Sequence, residues 1–123
     1  MRALALTIAA DTHPIHNLRV QQYLKDTMGL GEEQVARFVR HWLAEGFRTL
    51  EALLNDSSQT GRFSHRDHPT LADCVLVPGV YAARRFGAGI DACSTVLRIH
   101  DECMTLPAFQ DAHPDRQPDA PKA

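Results

Sequence analysis

The feature that most constrains this chain is Thr70-Leu71-Ala72-Asp73, followed by an almost unbroken apolar run from Cys74 to Ala83 that contains Pro78. Thr-x-x-Asp is a capping-box pattern. The Thr70 hydroxyl can accept from the Asp73 amide while the Asp73 carboxylate reaches back to the Thr70 amide. The box predicts a helix starting at 70. The run behind it then reads as a helix apolar nearly all round, buried in the middle of a bundle. An acid at the head of a buried helix is tolerable only where backbone donors satisfy it. Pro78 removes the amide that would bond the Cys74 carbonyl, which predicts a kink. A buried strand over residues 74–77 is the competing reading, and both the cap and the run length favour helix.

The remaining segments read as helices that would surround this one. Residues 3–28 carry Leu4, Ile8, Ile15, Leu18, Leu24 and Met28 at roughly helical intervals, with Pro14 expected to bend or divide the helix. Residues 32–55 give one apolar stripe through Val35, Val39, Leu43, Gly46, Leu50 and Leu54. Gly46 on that stripe costs about 1 kcal/mol against Ala, which close approach of a neighbouring helix would repay. A polar loop spans 56–69, with Phe63 as a plug into the core. Residues 91–104 form a further amphipathic helix and 107–113 one short turn. No strand alternation and no internal repeat is visible. The expected fold is therefore all-α, a bundle of five or six helices over residues 1–113, with an extended Pro-rich tail over 114–123.

At 123 residues with 44% apolar and 23% charged side chains, the chain suffices for one core. A net charge of −2 provides no field for nucleic acid or an anionic membrane. No apolar run approaches the roughly 20 residues of a membrane span. Met1–Ala10 is apolar and begins with Arg2, but Asp11 and His13-Pro14 cut it short of a signal peptide. Cys74, Cys93 and Cys103 are odd in number and lack paired spacing, which fits a reducing cytoplasm. Cys74, inside the apolar run, reads as a small core residue, and Trp42 as core or domain-interface packing. His13/His16, His65/His68 and His100/Cys103 each have i, i+3 spacing, but two ligands without a third define no metal site.

The pattern "GRF…D.PTLAD..LVP.VY.ARRF" resembles the central helix of the all-helical C-terminal domain of glutathione transferases. The capping box is shared across that superfamily. "HPIHNLRV" (13–20), "RHWLAEGFRTLEALL" (40–54), "ARRFG" (83–87) and "LPAFQDAHPDRQPDAP" (106–121) are similar to the zeta class, which holds maleylacetoacetate and maleylpyruvate isomerases. The resemblance covers essentially the whole chain. There are departures: Gly79 stands where the family usually has Gln, Arg66 replaces the Gly of a "GD" turn, Ala82 replaces an Asn, and Cys93-Ser94 replaces a common Tyr-Pro.

The resemblance implies glutathione as a cofactor in cis–trans isomerisation of a dicarboxylate enone. It also implies a thioredoxin-like domain, not seen in this sequence, that activates the thiol. The isolated helical chain is then expected to be inactive, with no catalytic residue of its own. Such chemistry needs fixed cations at the substrate carboxylates, for which Arg is suited. Arg85 matches the family's substrate-binding Arg, while Arg84 reads as a solvent or ion-pair residue. His13 and Asn17, spaced i, i+4 on one helix face, and Arg19 are implied to line the cleft facing the missing domain. The partners expected are a second copy of the chain, as a dimer or larger assembly, and a thioredoxin-like domain. Two other readings stand beside the isomerase: a non-catalytic helical interaction module and a truncation product.

Overall fold

The computed structural model describes residues 1–120, and no β-strand occurs among them. Helix α1 (Arg2–Leu6) continues through a π-helical turn (Thr7–Thr12) into α2 (His13–Ile15). After a break come α3 (Leu18–Asp26), α4 (Glu32–Asp56), α5 (Leu71–Phe86), α6 (Ser94–Cys103), α7 (Pro107–Asp111) and a 3₁₀ turn (Pro114–Arg116). The all-α bundle expected from the sequence is observed.

The expected single helix over 3–28 is not. Pro14 lacks an amide, and its ring crowds the carbonyl four residues back. The backbone widens into the π-turn just before it, where the Thr12 hydroxyl donates to the Thr7 carbonyl at 2.7 Å. The rod then ends at His16. Asn17 is extended (φ −57°, ψ 153°), and its side-chain oxygen accepts the Arg19 amide at 3.2 Å, capping α3.

Helix α4 is the longest element, and Val35, Val39, Leu43, Phe47, Leu50 and Leu54 form its buried stripe. Each such side chain stabilises the fold by roughly 1.5–3 kcal/mol. Gly46 lies on the same stripe for a steric reason. A Cβ there would sit 2.1 Å from Thr12 Oγ1, so only Gly lets the π-turn lie against α4.

Helix α5 is central, packing against α1, the π-turn, α4 and α6. Its head is held by Asp73, which is fully buried. The Thr70 amide and hydroxyl donate to Asp73 Oδ2 at 2.7 and 3.0 Å, and the Ser64 amide donates to Oδ1 at 2.8 Å. The carboxylate thus caps α5 and fastens the preceding loop at once. Phe63 is buried in that loop, as expected. Helix α5 ends at Gly87, whose φ of 70° is the left-handed conformation a helix stop uses, with Ala88 N–H donating to the Ala83 carbonyl at 2.8 Å.

Helix α6 begins at Ser94, three residues later than expected, and is capped from outside. Glu51 of α4 accepts the Thr95 amide at 3.0 Å and the Val96 amide at 2.9 Å.

Candidate functional site

Helix α5 is not buried all round. Leu71 is 65% exposed, and Cys74 and Pro78 are also exposed. With Tyr81 and Arg85 these residues recur at i, i+3/i+4 spacing and form one open stripe. Cys74 is therefore a surface thiol and not the core residue its apolar neighbours suggest. Pro78 explains the choice of face. It leaves the Cys74 carbonyl without its helical amide, and an open face is the place where that costs least.

The stripe is one wall of a groove of about 1030 Å³. The floor includes Val77, His100 and Met104, and the opposite wall is Ala108, Phe109, Ala112, His113, Pro114 and Asp115. The tail therefore departs from the extended form expected over 114–123. Pro114–Arg116 forms a 3₁₀ turn whose Pro114 and Asp115 line the groove, while residues 121–123 lie outside the described region.

Arg84 and Arg85, in the last turn of α5, stand at one end of this apolar trough. Both are exposed, and neither pairs with a carboxylate among the described residues. Each is therefore available to a ligand anion. The helix stop at Gly87 fixes where they emerge. Both also sit at the negative end of the helix dipole, which favours a cation without neutralising it. His100, nearly buried, is oriented by Asp101, with Nδ1 and Oδ1 3.0 Å apart. Burial pushes the neighbouring Cys103 thiol up to about 12, with the nearby Asp73 carboxylate adding to the effect, so it stays protonated.

Of the residues singled out in the sequence, Arg85 lies in the groove and Arg84 lies beside it. His13, Asn17 and Arg19 are not among the groove-lining residues. They sit at the α2–α3 junction, where Asn17 is engaged as a cap and no single helix carries His13 and Asn17 on one face. That junction nonetheless abuts the end of α5. The buried His16 ring lies edge-on to Phe86 at 6.2 Å and to His13 at 5.3 Å. Burial, and then the His13 charge, hold the His16 imidazole below its ordinary value, so it packs as a neutral ring. Trp42 is 38% exposed and stacks edge-on with Phe38 and His41.

Tyr81, His100, Phe109, His113 and Asp115 were not foreseen as site residues. A signal existed only for Tyr81, at the i+3 position from Pro78 on the amide-deficient face. Among the described residues, no group of three or more His, Cys, Asp or Glu is arranged to hold a metal. No helix among them is long and apolar enough to cross a membrane.

No family model matches the chain. A maleylacetoacetate isomerase of Pseudomonas aeruginosa is 40% identical over 122 residues, which is 99% of this chain and 55% of that protein. The holo structure of a maleylpyruvate isomerase, a bacterial zeta-class glutathione transferase, superposes with a TM-score of 0.94 at 41% identity. It covers 98% of this chain and 57% of the other. The maleylacetoacetate isomerase structure from Anaeromyxobacter dehalogenans, with dicarboxyethyl glutathione and citrate in its active site, gives a TM-score of 0.89 at 43% identity. There the shares are 98% and 52%. The chain thus spans about half the length of the curated relatives it matches.

Proposed function

We propose that this chain, whose sequence and all-helical fold match the C-terminal domain of zeta-class glutathione transferases, is the substrate-side domain of a glutathione-dependent isomerase. The substrate class is a maleyl dicarboxylate, converted from cis to trans. The observation that carries this reading is the pair of arginines at the end of the apolar groove, neither paired with a carboxylate among the described residues.

Glutathione, when bound, supplies the thiol that adds reversibly to the conjugated double bond. The residues here fit the other reactant. Arg85 grips a substrate carboxylate bidentately, and Arg84 provides positive potential beside it. Pro78 on one wall and Phe109 on the other flank the carbon chain, limit its contact with water and strengthen those charges. His13, Asn17 and Arg19 present their polar groups at the α2–α3 junction, toward the thioredoxin-like half that the family resemblance implies. Activation of the thiol belongs to that half, so the helical chain alone is inactive.

Three free thiols suit a reducing cytoplasm. Leu6, Leu18, Tyr23, Met28 and Trp42 are exposed apolar side chains, and we assign them to self-association of the chain. Sedimentation over a concentration series reads that directly; a monomer at tens of micromolar contradicts it. The same surface is what a non-catalytic interaction module would use.

Titrating the chain with maleate tests the groove. Binding is expected to shift the amide signals of 84–87 and to weaken at least tenfold in Arg85→Ala. Equal binding by the variant overturns the assignment of Arg85.

A further inference from the structure

The far wall of the groove is held in place by very little. Segment 107–117 is tied mainly to itself. Arg116 pairs with Asp111 at 3.2 Å, and the Gln117 side chain donates to the Asp111 and His113 carbonyls at 2.8 and 3.1 Å. At its base, Gln110 donates to the Met104 carbonyl at 2.8 Å, and Leu106 and Phe109 pack against the core. Beyond Phe109, one side-chain hydrogen bond crosses the groove to α5 among the described residues. The Tyr81 hydroxyl donates to Asp115 Oδ1 at 3.2 Å.

Two further contacts pre-set that bond. The His113 ring meets the Tyr81 ring at 5.3 Å and 90°, an edge-to-face pair that fixes where the phenol lies. The Asp115 amide donates to His113 Nδ1 at 3.2 Å, which holds Asp115 against the same ring.

We propose that Tyr81 is the positioning residue that closes the groove. Its hydroxyl latches Asp115, and its ring seats His113, so that residues 112–115 stand at a fixed distance from α5 and set the width of ligand admitted. The chemical class expected in the latched groove is a slender organic anion, with its charge on Arg84 and Arg85 and its apolar body between Pro78 and Ala112. This rests on the groove being the substrate site, but the latch itself is measured without any ligand.

The test uses the chain itself with Tyr81→Phe, Asp115→Ala and Asp115→Asn. Amide hydrogen exchange at Ala112, His113, Arg116 and Gln117 is expected to quicken about 2- to 10-fold in Tyr81→Phe and Asp115→Ala, the range one hydrogen bond commands. The α5 amides should not change. Asp115→Asn keeps an acceptor oxygen and is expected to exchange at the wild-type rate. The double variant Tyr81→Phe/Asp115→Ala is expected to match the worse single variant, because both remove the same bond. Wild-type exchange in both single variants overturns the latch. As a second readout, the selectivity for maleate over the broader phthalate is expected to fall at least threefold in Tyr81→Phe. Unchanged selectivity overturns the width-setting role. Failure of either anion to bind the wild-type chain counts instead against the groove as substrate site, and the exchange rates still decide the latch.

Discussion

The Asp73 carboxylate accepts the Ser64 amide at 2.8 Å across nine residues of sequence, so one buried acid both starts the central helix and pins the loop that leads to it. Because the Thr70 amide and hydroxyl share the same carboxylate, removing Asp73 strands more than a cap.

Asp73→Ala is therefore expected to cost about 3 kcal/mol, since charge-assisted bonds are lost and amide donors are left unpaired. Thr70→Ala removes one hydroxyl donor and should cost about 1 kcal/mol. Ser64→Ala runs the other way. The Ser64 hydroxyl is buried with no hydrogen-bond partner among the described residues, so its removal is expected to be neutral or to stabilise by about 1 kcal/mol. Urea denaturation of the three variants gives the order; equal midpoints for Asp73→Ala and Thr70→Ala contradict it.

The cysteines should divide sharply in the native state. Cys74 is exposed on the groove wall, whereas Cys93 and Cys103 are buried. Burial, and then the Glu51 charge, raise the Cys93 thiol, while Cys103 is pushed up to about 12. A disulfide reagent at neutral pH is expected to titrate one thiol per chain quickly and three only after unfolding. Fast reaction of two or more thiols in the folded chain contradicts this placement.

The capping box, the long stripe of α4 and the buried Phe63 were legible because each is a local pattern with one physical outcome. Gly46 was legible as a close approach, although its partner Thr12 was not, since a π-turn has no composition of its own. The open face of α5 was hidden for a different reason. Leu71, Cys74 and Pro78 are as apolar as the buried Leu76 and Val80, and hydrophobicity alone does not separate a groove wall from a core. The far wall was hidden because its position depends on contacts such as Tyr81–Asp115, made across 34 residues of sequence by side chains that carry no local pattern of their own. Arg85 was legible only through resemblance; the groove that gives it a role required the fold.

Glu51 gives the bundle an acid-sensitive joint. Burial alone would raise its carboxyl, but the Thr95 and Val96 amides, with the Asn55 and Thr95 side chains, more than offset this and hold it below the ordinary 4.5. The folded state therefore binds the proton less tightly than the unfolded chain. The stabilisation is complete above about pH 4.5 and is lost as the pH falls through the depressed folded value. The stability gap between wild type and Glu51→Gln is expected to be constant from pH 7 to 5 and to shrink below pH 4.5. A gap that stays constant down to pH 3 contradicts the cross-helix cap.

The role we propose for this helical chain is that of the carboxylate-binding half of a maleyl isomerase. The most direct measurement joins it behind a thioredoxin-like domain taken from a maleylacetoacetate isomerase and follows glutathione-dependent isomerisation of maleylpyruvate. The joined protein is expected to turn over well above the rate with glutathione alone, the chain by itself is expected not to, and Arg85→Ala in the joined protein should lower kcat/KM by about 10²-fold. A joined protein that folds and binds glutathione yet shows no isomerisation, or one in which Arg85→Ala is as active as the parent, would contradict the account.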